Sequence, residues 1–279
     1  MEYLELNVSL SPRNPWADIL IAELAELGYE SFVDTEDGIT AYAPTTIGNP
    51  EEHLAQTSLS ENDEVKFSLS STVIPHQNWN ALWESDFKPV IVSDELAIVA
   101  PFHDLAAHQQ ALKIIIQPQM SFGTGHHQTT FLMSEYLLEA VQIENPVLDM
   151  GTGTGVLAIL AEKKGATEIV AVDIESWSVE NTIENAERNN CKNIIGLCGD
   201  IDVVPEKQFG LILANINKNI LKAHLPSYAG LAKSGAQLYL SGFFASDAPE
   251  MIEFAENVGF KHVKTKELET WAALQFERL

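Results

Sequence analysis

The chain has 279 residues, with sixteen lysines and arginines against forty aspartates and glutamates, for a formal charge of −24 at pH 7. That length accommodates one large domain plus a smaller appendage, and the charge excludes direct DNA binding and anionic membrane surfaces, where Lys and Arg must neutralise phosphates; a basic partner is favoured instead. Two cysteines without CxxC or zinc-ligand spacing predict reduced core thiols, and the absence of a signal-type N-terminus or a long apolar run predicts a soluble cytoplasmic protein.

From the N-terminus, Leu4, Leu6 and Val8 alternate with Glu5 and Asn7, as in a strand with one wet face. Asn14 is placed to cap a helix with Pro15 at its first position, Trp16, Leu20, Leu24 and Leu27 recur at helical spacing, and Gly28 is placed to end the helix. Phe32 and Val33, the Asp37-Gly38 turn, then Ile39, Ala41 and Tyr42 predict a hairpin; Asn49-Pro50 opens a short helix, and Val65, Phe67 and Leu69 alternate in a fourth strand. The order βαββαβ describes a small α+β, ferredoxin-like domain over residues 1–75.

Trp79, Leu82, Trp83 and Phe87 then lie three to four residues apart, predicting a linker helix over residues 76–90 whose aromatic stripe either packs or serves as a docking hinge. Strand-like runs at 97–100 and 112–116 lead into a polar, glycine-rich loop at 121–130 and the helical pattern Leu132, Tyr136, Leu137 and Ala140. Beyond residue 146, strands at 146–150, 168–173, 194–198, 209–214 and 236–241 are interspersed with helices at 155–164, 175–190, 217–232 and 247–258. Closing strands near 261–267 and 271–277 leave no room for a crossover helix, so the last must run antiparallel to its neighbour. Residues 91–279 therefore read as an α/β, doubly wound, Rossmann-like sheet with an antiparallel last strand.

Within that sheet, Pro146-Val147-Leu148-Asp149-Met150 runs into Gly151-Thr152-Gly153-Thr154-Gly155 and then Val156 to Leu160, a buried strand turning sharply into a helix. Ligands sit at such turns, where glycines permit close approach and the helix start offers free amides. The third glycine falls one residue too early for a dinucleotide fingerprint. Asp149 would repel a pyrophosphate and attract the amino and sulfonium groups of S-adenosylmethionine, and the antiparallel last strand also departs from the usual dinucleotide sheet. The methyl donor is the expected ligand, with a nicotinamide-dependent oxidoreductase as the remote alternative resting on Gly151, Gly153 and Asp173.

Asp173, at the end of the next strand, suits both ribose hydroxyls and is also placed to cap the following helix. Asp200 is a weaker candidate for the adenine amine or else a solvated turn residue. Asn215 ends the fourth strand at the same sheet edge, where its amide can accept from an amine substrate or hold the donor; Asn217 and Asn219 suit helix capping. His103, His108, His126 and His127 include no helix-spaced pair with an acid, so no metal is expected. His127 reads as a scaffold more than a base, and Trp271 as core.

Phe122-Gly123-Thr124-Gly125-His126-His127-Gln128-Thr129-Thr130, with Val147 to Gly151, Val172-Asp173 and Ala214-Asn215-Ile216, resembles the bacterial family that methylates large-subunit ribosomal protein L11. The similarity spans nearly the whole chain, including Phe87-Lys88-Pro89 of the linker. The resemblance implies an S-adenosylmethionine-dependent protein methyltransferase with donor contacts from Thr130, Gly151, Gly153, Asp173 and Asn215 and with Phe122 over the cofactor. His127 matches the family histidine and His126 does not. Gln128 stands where proline is common, Thr152 and Thr154 replace the familiar cysteine and serine, and Asn217-Lys218-Asn219 replaces a small apolar stretch beside the acceptor pocket.

The implied reaction is methylation of lysine ε-amino and N-terminal α-amino groups of a basic ribosomal protein by a monomeric enzyme whose residues 1–75 recognise the substrate. Another protein or an RNA base is the alternative acceptor. Transfer at a sulfonium centre relies on orientation and desolvation, the amine must be neutral, and no general base is identifiable.

Overall fold

The computed structural model describes residues 2–75, 84, 86–119 and 122–279. Trp79, Leu82 and Trp83 of the expected linker helix lie outside the described residues. The chain divides into two compact units, Met1–Asp86 and Phe87–Leu279, a boundary that falls inside the segment read as the linker.

The first unit runs β1 (Tyr3–Ser11), α1 (Trp16–Glu26), β2 (Ser31–Asp34), β3 (Gly38–Pro44), α2 (Pro50–Leu54) and β4 (Lys66–Ile74). Its sheet has the order β2-β3-β1-β4 and is antiparallel throughout. The period-two pattern of β1 turns Leu4, Leu6, Val8 and Leu10 inward, and Leu6, Val8 and Leu10 share a core with Trp16, Ala17, Leu20 and Leu24 of α1. Asn49 caps α2 by accepting from Glu51 N–H at 3.0 Å. Asn14 does not cap α1: the helix begins at Trp16 behind Pro15, without a side-chain cap.

The second unit opens with a small sheet of β5 (Val90–Val92), β6 (Leu96–Val99) and β7 (Leu112–Ile115), followed by α3 (Gln128–Glu139). The main sheet comprises β8 (Val147–Met150), β9 (Ile169–Asp173), β10 (Ile194–Cys198), β11 (Phe209–Asn215), β12 (Ala232–Phe244), β13 (Phe260–Leu268) and β14 (Trp271–Arg278), in the order β10-β9-β8-β11-β12-β14-β13. Helices α4 (Val156–Lys163), α5 (Ser176–Arg188), α6 (Lys218–Leu231) and α7 (Ala248–Asn257) complete it. The antiparallel strand is β14, as expected, and it inserts between β12 and β13.

Central strands β8, β9 and β11 are apolar because both faces are covered. One face packs Leu132, Tyr136 and Leu157, the other Leu221, Tyr228 and Met251. After β10 the chain returns past β8 to form β11, so the strand order reverses there and a crevice opens beyond the carboxyl ends of β8 and β11.

Helix α5 buries a row of polar side chains. Ser178, Asn181, Thr182 and Asn185, with the adjoining Asn189, are polar and buried. Asn189 pairs with the backbone of Ile115, accepting its N–H at 2.9 Å and donating to its carbonyl at 2.7 Å. Asn185 accepts from Gln117 N–H at 2.9 Å and donates to Thr154 O at 3.0 Å, while Thr182 Oγ1 donates to Gly153 O at 3.0 Å. This row of amides supplies partners that the backbone at Ile115 and Gln117 and in the glycine turn would otherwise lack. Replacing Asn185 with alanine strands the Gln117 amide and the Thr154 carbonyl, and urea unfolding of Asn185→Ala is expected to show a loss of about 2–4 kcal/mol.

Candidate active site

A cleft of about 540 Å³ lies at the carboxyl ends of β8, β9 and β11. Its lining includes Gly151, Gly153, Asp173, Asn215 and Phe122, five residues singled out from the sequence, together with His127, Ile174, Trp177, Ile216, Gly242 and Trp271.

The glycine turn and the 122–130 loop form one structure. Thr154 N–H donates to Phe122 O at 2.9 Å, and Thr154 Oγ1 donates to Gly123 O at 2.6 Å. Gly153 has φ +57°, and a Cβ there would stand 2.1 Å from Phe122 O, so no side chain fits between the loops. The glycine is therefore required by loop-to-loop packing.

Asp173 uses one carboxylate to order two neighbours: Oδ2 accepts from Gly153 N–H at 2.9 Å and Oδ1 from Glu175 N–H at 3.1 Å. Each oxygen keeps further acceptor capacity. Asn215 donates through Nδ2 to Thr130 Oγ1 at 3.4 Å, while its buried Oδ1 has no hydrogen-bond partner. Thr130 is itself buried and is not part of the lining, whereas its neighbour Thr129, in the first turn of α3, is.

A family model described as ribosomal protein L11 methyltransferase (PrmA) matches residues 17–279. The chain belongs to this family. A ribosomal protein L11 methyltransferase of Phocaeicola vulgatus is 38% identical over 99% of both chains. One from Porphyromonas gingivalis is 41% identical over 93% of this chain and 90% of that relative. Among solved structures, a ribosomal protein L11 methylase from Lactobacillus delbrueckii subsp. bulgaricus aligns with a TM-score of 0.62 and 28% identity, covering 69% of this chain and 99% of its own. Family membership sets aside the nicotinamide alternative.

Several residues sit differently from their sequence reading. Asp149, expected to attract a cationic ligand, is buried and does not line the cleft. It accepts from Thr152 Oγ1 at 2.8 Å and from the Ala158 amide in the first turn of α4, a helix whose N-cap, Gly155, has no side chain to offer. The acid thus caps the helix from the preceding strand.

His127 is the N-cap of α3: its Nδ1 accepts from Thr129 N–H at 3.3 Å, which leaves the proton on Nε2. Burial lowers its pKa, which favours the neutral ring. Gln128, at the position where proline is common, reaches Glu269 at 2.6 Å. Asn217 caps α6 through Asn219 N–H at 2.9 Å, as its position predicted, and also lines the cleft. Asp200 accepts from His224 Nε2 at 3.1 Å and is not part of the lining. Cys191 is buried and Cys198, expected in the core, is exposed.

Trp271, read as core, is a cleft wall. It stands 4.6 Å from the His127 ring and 4.5 Å from Phe244, while Phe122 lies 5.1 Å from His127, giving an aromatic series along one side. On the other side, Ile174 and Trp177 are 66% and 52% exposed, apolar surface beside Asp173 that the sequence reading missed. Their signal was a large apolar residue directly after a strand-ending acid and a tryptophan three residues further on. Among the described residues, no group of three or more His, Cys, Asp or Glu is placed to hold a metal ion, and no helix is long and apolar enough to cross a membrane.

Burial pushes the Asp149 carboxyl up from 3.8 to about 7, against the opposing hydrogen bonds from Thr152 and Ala158 and with a smaller contribution from the Asp173 charge. The folded state therefore binds the extra proton, so the stability linked to this group is complete below the unfolded value and is lost as pH rises through 7. Against Asp149→Asn, the wild-type protein is expected to lose on the order of 2–3 kcal/mol of relative stability between pH 5 and pH 8 in parallel urea titrations.

Proposed function

We propose that this chain transfers methyl groups from S-adenosylmethionine to ribosomal protein L11, at lysine ε-amino groups and the N-terminal α-amino group, acting as a monomer in the cytoplasm. The observation that carries the reading is Asn215 Oδ1, a buried acceptor without a partner beside a cleft floored by the glycine turn. A buried polar atom left unpaired is unfavourable by about 1–3 kcal/mol, and an incoming N–H relieves that penalty.

The residues fit the donor. Asp173 retains acceptor capacity for ribose hydroxyls, Ile174 and Trp177 offer apolar surface to an adenine ring, and Gly151 and Gly153 let the backbone approach. When bound, S-adenosylmethionine supplies a methyl group on a sulfonium centre, activated for in-line displacement. Thr130 holds the Asn215 amide by its Nδ2, which keeps Oδ1 available to an amine N–H and so orients the nitrogen lone pair.

The amine must first lose its proton, against a lysine reference pKa of about 10.4. The wall of Phe122, His127 and Trp271 opposes the charged form by desolvation. A chain with net charge −24 pulls the other way, toward a cationic protein and away from an RNA base.

Incubation with labelled S-adenosylmethionine and purified L11 is expected to label lysines and the N-terminal residue, and mass spectrometry that finds neither overturns the reading. Asn215→Ala is expected to lower kcat by about a hundredfold, in the range seen when one transition-state hydrogen-bonding group is removed.

The second unit has its own two-sided core, and the first holds sixteen carboxylates against two bases within residues 1–86, which supports a recognition role for a basic substrate. Residues 87–279 alone are expected to bind the donor in a calorimetric titration yet leave intact L11 unmodified.

A further inference from the structure

Among the described residues, strand β4 is an edge of the first unit's sheet, nine residues long and paired only with β1. Half of an edge strand's N–H and C=O groups face outward, a ready template for another strand. Among the described residues, no other backbone segment bonds to β4. Its side chains are open as well: Phe67, Val73 and Ile74 are 36%, 50% and 36% exposed.

The reason is the short second helix. Phe67 and Val73 lie opposite Leu10 and Leu4, on the face where helices pack, but α1 packs across β3 and α2 has only five residues; among the described residues, Leu69 between them is half-buried against the core while Phe67 and Val73 stay exposed.

Natural edges are usually blunted by charges on the strand itself. Here Lys-Phe-Ser-Leu-Ser-Ser-Thr-Val-Ile contains no carboxylate and one lysine, at its first position. The acids surround it instead: Asp63 and Glu64 precede the strand, and Glu5 of β1 lies opposite Thr72. Of the unit's two bases, Arg13 is paired with Asp34. Two copies of so acidic a unit repel one another, which disfavours edge-to-edge pairing of this chain with itself. The same field attracts a cationic chain.

We propose that the outer edge of β4 receives an extended segment of the basic protein substrate as an added strand, with Phe67 and Val73 supplying apolar contact and the surrounding carboxylates the charge match. This assignment rests on the reading of L11 as substrate.

The test uses the full-length protein and purified L11. Hydrogen exchange of the wild-type protein is expected to show new protection of the Lys66–Ile74 amides on addition of L11, with the β2 amides at the opposite edge unchanged. Val73→Lys puts a positive charge on the proposed edge, and Val33→Lys, at a 51% exposed position on β2, puts the same charge on the other. Val73→Lys is expected to raise KM for L11 at least about tenfold, with kcat and donor Kd within about twofold of wild type, whereas Val33→Lys changes KM by less than about twofold. Equal effects of the two variants, or β4 amides left unprotected while L11 is methylated, overturn the edge assignment alone. Wild-type protein that leaves L11 unmethylated overturns the functional reading and the edge assignment with it.

Discussion

Thr154 joins the two loops from which the cleft is built, through its amide to Phe122 O and its hydroxyl to Gly123 O. These bonds require the backbones to touch at Gly153, a spacing that any Cβ would break. Asp173 binds the same glycine's N–H from β9, and Thr182 binds its carbonyl from α5, so both polar groups of one residue are anchored in separate elements. Phe122, Asp173 and Asn215 surround the cleft in a defined arrangement because the turn between them is held from three sides. Preorganisation of this kind is what a reaction driven by orientation and desolvation demands.

Electrostatics divides the molecule between attraction and chemistry. The surface is strongly acidic, with most of the excess in residues 1–86. The cleft wall is aromatic, burial lowers the pKa of its histidine, and the acid beneath the glycine turn is buried with a pKa pushed up to about 7. A negative field favours a cationic group near the surface, while burial at the cleft wall disfavours its charge. Asp149 illustrates the separation: its position in sequence suggests attraction to a sulfonium, while its bonds to Thr152 and Ala158 spend the carboxylate on fastening β8 to α4.

Much of this was legible in one dimension because it depends on local spacing. The βαββαβ order, the helix–strand succession after residue 146, the antiparallel last strand and the glycine turn all follow from periodicity, turn residues and the lack of room for a crossover. Asp173 and Asn215 were findable because each ends a strand whose carboxyl edge faces a crevice. The buried amides of α5 were not legible in the sequence, because their role depends on backbone groups of other elements that they serve. Trp271 looked like core for a related reason: its place on the wall depends on β14 inserting between β12 and β13, near a loop roughly 150 residues earlier in the chain.

The sequence by itself determined the family, the order of elements and the residue types at the strand ends, since short-range sterics and hydrophobic period act along the chain. Only the tertiary structure decided which polar groups meet. Asp149 turned into a helix cap, Thr130 into the support of Asn215, and a carbonyl of one loop into the partner of another loop's amide. Hydrogen bonds form between groups brought within about 3 Å of one another, and residues far apart in the chain reach that distance only after the sheet has set their positions.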